Sequence, residues 1–190
     1  MNDKMAALNL SFKPFPELTT QRLCLRQFQR EDAEFLLKLR TNDRVMKYLG
    51  RAKMSSVKEA EDFIQKVRKD ALENHSVEWA ISMEGKLIGK LGFWRIMSQH
   101  RRAELGYNLM PDYFRKGLMS EAVSAVLKYG FEEIGLHSVE ANLDPANTKS
   151  SNLLKRNGFT REGYFKESYF FDGAFTDTAS YSLLKADWEK

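Results

Sequence analysis

Residues 111–122, PDYFRKGLMSEA, decide the fold because a basic, glycine-containing turn there joins a strand pattern to a helix pattern. Downstream of Gly117, apolar residues recur at every third or fourth position, which predicts a helix. A helix start offers unpaired backbone N–H groups and the positive end of the helix dipole, and Arg115 and Lys116 add formal charge. The stretch therefore predicts an anion site, although the same residues also fit the ordinary start of a basic surface helix.

The turn lacks the two best-known phosphate motifs. Neither GxxxxGK[ST] nor GxGxxG occurs in the chain, so nucleoside triphosphate and dinucleotide binding lose their usual support. Gly117 lets a ligand approach the backbone without a Cβ in the way, and Ser120 can add a hydroxyl donor. Any anion bound here would thus be held largely by the backbone.

Outward from this turn, the hydrophobic pattern changes repeatedly between the strand period and the helix period. Strands are predicted over residues 20–28, 77–83, 87–96, 103–110 and 138–143, with two more on either side of Asp172-Gly173. Helices are predicted over residues 30–40, 55–73, 118–134 and 147–158. This order predicts an α/β (α+β) fold, with a mixed, mostly antiparallel seven-stranded sheet, helices on both faces and a parallel pair in the middle.

Length and composition indicate one domain. The chain has 190 residues, 43% of them hydrophobic, and no linker divides it after an irregular lead-in at residues 1–16. Residues 17–190 are expected to form the single domain. Because the sequence has no run of about 18 apolar residues and no secretory-signal layout, we expect a cytoplasmic protein that does not bind membranes.

Other chemistries have little support in the sequence. Cys24, the one cysteine, lies in a strand pattern with no histidine nearby to activate it as a nucleophile. The three histidines are far apart in sequence, so no metal site is expected. The formal charge of +4 comes from scattered residues, and the cluster at Arg101 and Arg102 is the feature that would suit an RNA-binding domain. Direct nucleic-acid binding is not expected.

The segments AELGYNLMPDYFRKGLMSEA and NTKSSNLLKRNGF together resemble the GNAT superfamily of acetyl-CoA-dependent N-acetyltransferases. The second segment has Asn147, Ser150, Gly158 and Phe159 in the superfamily's pattern. Within the superfamily, the chain most resembles the branch of ribosomal-protein N-terminal alanine and serine acetyltransferases. The resemblance covers nearly the whole chain from Pro16 onward, and it implies a sheet whose central parallel strands splay apart.

The resemblance implies that acetyl-CoA is the co-substrate and that no metal takes part. It also implies which residues would bind acetyl-CoA. Backbone N–H groups along the turn would hold the pyrophosphate, and these belong to Arg115, Lys116, Gly117, Leu118, Met119 and Ser120. The pantetheine arm would pair with Leu109 where the fourth and fifth strands splay, and Asn142 and Asn147 would supply side-chain bonds. Met119 stands where a small residue is usual, so its side chain is expected to crowd the phosphate.

The resemblance also suggests catalytic groups. Glu104 is the first candidate for a general base, acting through water, and Glu167 is the second; solvent exposure without a role is the alternative for both. Ser150 would donate to the leaving thiolate, or would only bond the turn at Asn147. Leu154 occupies the position at which many members of the superfamily place a tyrosine acid.

The implied reaction is acetyl transfer to a primary amine by direct attack in a ternary complex. An α-amino group, with a pKa of roughly 7.7–8.0, needs less deprotonation than a lysine near 10.4, which favours a protein N-terminus as acceptor. A polyamine or aminoglycoside-like amine is the alternative acceptor. A catalytically silent acyl-CoA-binding domain is the alternative of another class, and a homodimer is left open.

Overall fold

The computed structural model describes residues 7–190, and one eight-stranded sheet forms their centre. The strands lie in the order β1-β2-β3-β4-β5-β6-β8-β7. Their bounds are β1 (Leu18–Thr19), β2 (Cys24–Arg26), β3 (Val77–Met83), β4 (Lys86–Met97), β5 (Arg102–Leu109), β6 (Ser138–Leu143), β7 (Thr160–Phe171) and β8 (Ala174–Leu184). The mixed, mostly antiparallel sheet expected from the sequence is confirmed.

Six α-helices accompany the sheet in this part of the chain. They are α1 (Ala33–Thr41), α2 (Asp43–Met46), α3 (Val57–Leu72), α4 (Leu118–Lys128), α5 (Thr148–Arg156) and α6 (Lys185–Trp188), and a π-helical turn, Tyr129–Ile134, extends α4. Between residues 7 and 190, no helix combines the length and the apolar character needed to cross a membrane.

The sheet has one strand more than the seven expected, and the first predicted strand is shorter than its pattern. Within residues 20–28, only Cys24–Arg26 is a strand. The Thr20 N–H donates to the Leu23 carbonyl at 2.9 Å, and the Leu23 N–H donates to Thr20 Oγ1 at 3.0 Å, so a turn begins there instead. The threonine hydroxyl competes with the strand ladder for backbone partners. The chain turns back, and the additional strand β1 pairs with β2.

The lead-in is irregular but is attached to the domain. Residues 7–16 form no helix or strand, and the remainder of the predicted lead-in, residues 1–6, lies outside the described residues. Phe12 is only 3% exposed and packs in the main core. The indole N–H of Trp79, a fully buried residue of β3, donates to the Pro16 carbonyl at 2.5 Å. The hydrophobic core therefore includes part of the lead-in.

Side chains of β3 alternate between two hydrophobic cores on opposite faces of the sheet. Val77, Trp79 and Ile81 pack in the core that contains α4, whereas Ala80 packs in the core formed with α1 and α3. Glu78 shares the second face with Ala80, since the two residues are two positions apart. That face therefore brings a buried carboxylate beneath α1 and α3.

One pair of strands within residues 7–190, β5 and β6, runs parallel, and it is joined over only three residue pairs. Arg102 faces Ser138, Ala103 faces Val139, and Glu104 faces Glu140. Beyond Glu104, β5 continues to pair with β4, and β6 continues to pair with β8. The two strands diverge because each follows its antiparallel neighbour. The gap between them exposes backbone groups of β5 in the middle of the sheet.

Candidate active site

A cleft of about 1330 Å³ opens where β5 and β6 diverge. Residues of α1, α2, α3, α4 and α5 border the cleft. The structure brings ten of the twelve predicted site residues to this cleft: Glu104, Leu109, Arg115, Gly117, Leu118, Met119, Ser120, Asn142, Asn147 and Ser150. Lys116 and Glu167 are not among its lining residues.

The turn before α4 leaves several backbone donors free. Arg115 and Gly117 both have positive φ, at 62° and 76°, and Gly117 is the N-cap of α4 without any side-chain cap. The first intrahelical bond runs from the Glu121 N–H to the Gly117 carbonyl at 3.0 Å. The N–H groups of the three residues before Glu121 therefore have no partner in the helix, which is the arrangement that binds phosphate oxygens.

Three contacts fasten this turn to the β1–β2 segment. Arg22 pairs with Glu121 at 2.6 Å and donates to the Lys116 carbonyl at 3.0 Å, and the Thr20 hydroxyl donates to Glu121 at 2.6 Å. Burial raises the pKa of Glu121, but the bonds from Thr20 and Arg22 outweigh it and leave the pKa below its usual value. The carboxylate therefore stays ionised and holds the turn, and the positive end of the helix dipole in the first turn of α4 also favours its charge.

Met119, which was expected to crowd the phosphate, packs into the hydrophobic core. Its side chain is 9% exposed and belongs to the main hydrophobic core, as does Leu118, which is 2% exposed. The helix directs most of this side chain inward while its backbone N–H remains at the helix start, but Met119 also lines the cleft, so the expected crowding stays a prediction. Lys116 is exposed, and its ammonium lies 5.4 Å from the centre of the Tyr113 ring, a cation–π contact.

Asparagine side chains organise the helix ends near the turn. Asn147 caps α5, with its Oδ1 accepting the Ser150 N–H at 3.2 Å. Asn157 Nδ2 donates to Ser120 Oγ at 3.1 Å and to the Leu153 carbonyl at 2.8 Å. Ser120 is thus oriented by the C-cap residue of α5, and this contact joins the start of α4 to the end of α5.

Ser150 has a partner that sequence reasoning missed. Its Oγ lies 2.5 Å from Tyr107 Oη, and either hydroxyl can donate. Burial raises the pKa of Tyr107 to about 12, despite the opposing effect of the bond to Ser150, so the phenol keeps its proton. Leu154, at the superfamily's tyrosine position, is fully buried in the core. Tyr107 therefore places a phenol beside Ser150 from the strand, at a separation in sequence that no local pattern reveals.

Glu104 is the buried carboxylate at the point of divergence. It is 7% exposed, it accepts from Asn142 Nδ2 at 3.0 Å, and Arg95 lies 3.5 Å away. Burial raises the pKa of Glu104, and the bond from Asn142 and the charge of Arg95 only partly oppose this effect. A carboxyl with a raised pKa can take up a proton more readily than an exposed one, which suits a general base.

Glu167 is not brought together with Glu104. It is exposed on β7 at an irregularity in the ladder, with φ at 49°, and its backbone N–H donates to Asp177 at 2.8 Å. It lines a small depression beside Pro145 instead of the main cleft. Because Glu167 lies outside the main cleft, its carboxylate is not placed to accept a proton from an amine bound there.

Glu78, Lys90 and Arg40 also line the cleft. Glu78 packs against Gly92 of the neighbouring strand, where a Cβ would lie 2.9 Å from the Cγ of Glu78. Glu78 forms a buried ion pair with Lys90. Above them lies Arg40 of α1, which is 7% exposed. Arg40 follows Leu36 by four positions, so a charged residue on the apolar face of the helix was the available sequence signal.

The basic cluster that would suit RNA is engaged in internal contacts. Arg101 Nη2 donates to the Gly135 carbonyl at 2.7 Å. Arg102 pairs with Glu140 at 2.8 Å and donates to Ser138 at 3.2 Å. Both guanidinium groups therefore fix the start of the parallel strand pair.

Asp70, Glu73 and His75 place potential metal-ligand atoms within 4.8 Å of one another near the end of α3. Asp70 already forms an ion pair with Lys66, and the side chain of His75 is 70% exposed. Such contacts are ordinary at a solvated helix end, and they give no ground for assigning a metal.

Comparison with protein families gives one match over most of the chain. The family described as "Acetyltransferase (GNAT) domain" matches residues 22–160. The matched segment begins at the arginine that fastens the α4 turn and ends just after the α5 segment. It therefore includes every cleft element described above.

Individual proteins agree with this match. "Uncharacterized N-acetyltransferase YoaA" of Bacillus subtilis (strain 168) is 39% identical over 129 residues, 67% of this chain and 73% of that protein. From the same organism, the protein named "Putative ribosomal N-acetyltransferase YdaF" is 28% identical over 173 residues, 89% of this chain and 94% of that protein. A solved structure of spermidine N-acetyltransferase from Vibrio cholerae, in complex with CoA and spermine, is 25% identical with a TM-score of 0.80, covering 90% of this chain and 100% of that one.

Proposed function

Because this chain belongs to the GNAT acetyltransferase family, we propose that it transfers the acetyl group of acetyl-CoA to the α-amino group at a protein N-terminus. Family membership makes the chain an N-acetyltransferase, so a catalytically silent acyl-CoA-binding domain is set aside. The acceptor is the part that the family leaves open, since relatives are named for spermidine and for ribosomal acetylation. The observation that carries the proposal is the charge of the side chains that line the cleft.

The residues present fit acetyl-CoA, which would supply a thioester carbonyl for attack. Unpaired N–H groups at the start of α4 and the exposed Arg115 suit the pyrophosphate. The edge of β5 beyond Glu104 has lost its parallel partner, and Leu109 lies on this edge. Backbone groups there suit the amides of the pantetheine arm, because an extended chain can pair with an open strand edge.

The amine must attack as a neutral group, and Glu104 would accept its proton through water. The new C–N bond forms as the C–S bond breaks, and the nitrogen's proton passes to the carboxylate. The leaving thiolate needs a proton, which Ser150 would donate while taking one from Tyr107. Burial of Glu104 favours a base that accepts a proton, and burial of Tyr107 keeps the phenol protonated before the reaction, so that a proton is present to pass to Ser150.

The charge of the cleft favours a peptide over a polyamine. Nine basic side chains line it: Arg40, Arg44, Lys47, Arg51, Lys66, Lys90, Arg115, Lys149 and Arg156. The acidic side chains that line it are Asp70, Glu78 and Glu104, and the first two already pair with lysines. A polycation would meet net repulsion from this predominantly basic lining. A neutral or acidic peptide with a single α-amine would not meet this repulsion.

A thiol-release assay with acetyl-CoA and a mixed amine panel tests the proposal. Peptides beginning with Ala or Ser should release CoA with a kcat/KM at least about tenfold above that of spermidine or an aminoglycoside, because even one unfavourable charge contact is worth about 1.4 kcal/mol. Clear turnover of spermidine with none of the peptides would contradict the peptide acceptor.

The same assay with Glu104→Ala and Glu167→Ala tests the base. We expect Glu104→Ala to lose most of the rate and Glu167→Ala to keep it, since only the first carboxylate lies in the cleft. A rate that both substitutions leave unchanged would remove the assignment of a carboxylate base.

A further inference from the structure

Arg40 is a buried cation without a compensating partner. The residue is 7% exposed, and its Nε has no hydrogen-bond partner in the part of the chain that the structure describes. Within residues 7–190, no carboxylate forms an ion pair with its guanidinium. Burying an unpaired charge costs several kcal/mol unless the group neutralises, and a guanidinium does not lose its proton at physiological pH. The position is therefore costly for the isolated protein.

The surroundings of Arg40 do not remove this cost. Glu78 contributes opposite charge, but Lys90 already holds its carboxylate in a buried pair. Glu59 also contributes, yet its carboxylate is bound to the N–H and hydroxyl of Ser55 at 2.7 and 2.9 Å. Arg51 adds a like charge, and together with burial it lowers the pKa of Arg40. The guanidinium thus faces the cleft with more positive than negative charge around it.

Arg40 also lies at a useful distance from the reaction centre. Glu78 lies beneath Arg40. From Glu78, one strand spacing leads to its partner Gly92 on β4, and a second leads to Gly106 on β5. Glu104 lies two residues from Gly106 along β5. These spacings place the Cα atoms of Glu78 and Glu104 roughly 12 Å apart. An extended peptide whose α-amine reached Glu104 would cover that distance within about three or four residues.

We propose that Arg40 binds an acidic side chain of the acceptor, so that the enzyme prefers protein N-termini carrying Asp or Glu within their first four residues. The proposal rests on the N-terminal acceptor proposed above and adds a specificity determinant to it. The guanidinium fork matches a carboxylate in two parallel hydrogen bonds, and the bound anion supplies the charge that the folded protein lacks around Arg40.

The test measures kcat/KM for matched peptides that begin with Ser and carry Asp, Asn or Lys at positions two, three or four. The best Asp peptide should exceed its Asn counterpart on the order of tenfold to a hundredfold, the usual effect of one buried charge-assisted hydrogen bond. Free aspartate and spermidine complete the panel. Equal rates for Asp and Asn peptides would overturn the Arg40 inference and leave the N-terminal acceptor standing.

Two variants separate recognition from structure. Arg40→Met should abolish the Asp preference and also raise the melting temperature of the unliganded protein, because it removes an uncompensated buried charge. Arg30→Met is the matched control: its side chain is 78% exposed, it pairs with Glu61 outside the cleft, and it should change neither property. If Arg40→Met lowers the melting temperature and keeps the Asp preference, Arg40 has a structural role only.

The remaining outcomes distinguish the two proposals. If free aspartate is acetylated faster than every peptide and loses this advantage in Arg40→Met, the anion site stands and the protein acceptor fails. If only spermidine is acetylated, both proposals fail, because a polycation gives Arg40 no anion to bind.

Discussion

At the scale of single residues, burial decides which carboxylate can act as the base. Glu104 is buried beside Asn142, and its raised pKa means that the folded state favours the protonated form. The folded protein therefore holds this proton to higher pH than the unfolded chain does. The contribution of Glu104 to stability is fully present below its unfolded pKa and is lost as pH rises through its folded pKa.

Substitution of Glu104 by Gln should therefore change activity and stability in opposite directions. At pH 8 we expect kcat to fall by about 10² or more, because general base catalysis is lost, while the melting temperature rises. At pH 4 the gain in melting temperature should disappear. Kinetics and thermal unfolding over this pH range measure both effects, with the exposed Glu162→Gln as control. An unchanged acid limb of the pH–rate profile in Glu104→Gln would contradict the assignment.

The pair of Tyr107 and Ser150 makes a second prediction at this scale. Ser150→Ala should lower kcat by about tenfold or more without changing the Kd of CoA, since the hydroxyl is proposed to act on the leaving thiolate. Tyr107→Phe should lower kcat less, and it should have no further effect in the Ser150→Ala background because the phenol acts through the serine. Single-turnover kinetics and calorimetry measure the two quantities. Additive losses in the double variant would show that the hydroxyls do not form one relay.

At the scale of elements, the start of α4 depends on its backbone conformation. Gly117 has φ at 76°, and a Cβ there would meet only Arg22 Nη2, at 3.5 Å. Gly117→Ala should therefore cost about 1 kcal/mol of backbone strain, with little steric clash. The KM for acetyl-CoA should rise several-fold as the turn relaxes away from its phosphate-binding shape.

Gly173→Ala is the matched control for this element. Gly173 has φ at 77° in the β7–β8 turn, and nothing lies within 4 Å of a Cβ there. Both variants should lower the melting temperature by a similar few degrees. Only Gly117→Ala should change the KM for acetyl-CoA, and an equal effect of both on KM would show that the turn has no special role.

The elements themselves were largely predictable, because each depends on a short-range pattern. The β3–β4 hairpin turns at Glu84 and Gly85 as its sequence predicts, with Met83 facing Lys86. The first strand was overestimated, since Thr20 forms a turn with its hydroxyl that hydrophobic alternation does not reveal. Helix starts with a recognisable cap, such as Asn147, were found at the expected residue.

At the scale of the whole molecule, residues 7–190 share cores on both faces of one sheet, and we expect a single unfolding unit. Thermal unfolding followed by circular dichroism and by tryptophan fluorescence should give coincident transitions. CoA at about a hundred times its Kd should stabilise the protein by about 2.7 kcal/mol. Two separated transitions would contradict one domain from residue 17 to residue 190.

The homodimer left open by the sequence stays a prediction at this scale. Six large aromatic side chains are exposed on β7 and β8: Tyr164, Phe165, Tyr169, Phe170, Phe171 and Phe175. Exposed apolar surface of this kind is uncommon on a monomer and more typical of a contact between proteins. Sedimentation equilibrium at micromolar concentration should give twice the monomer mass, and a mass of 22.0 kDa would exclude the dimer.

The sequence by itself determined the fold class, the family resemblance and the anion turn at Gly117, because helix and strand periods and capping residues act between neighbours in the chain. Only the tertiary structure decided how these pieces meet. It turned Met119 into the core, joined Tyr107 to Ser150 across 43 positions, and left Arg40 buried without a counter-charge. Such relations depend on which strands adjoin and where β5 and β6 separate. No period along the chain encodes that divergence, since each strand simply follows its own antiparallel partner.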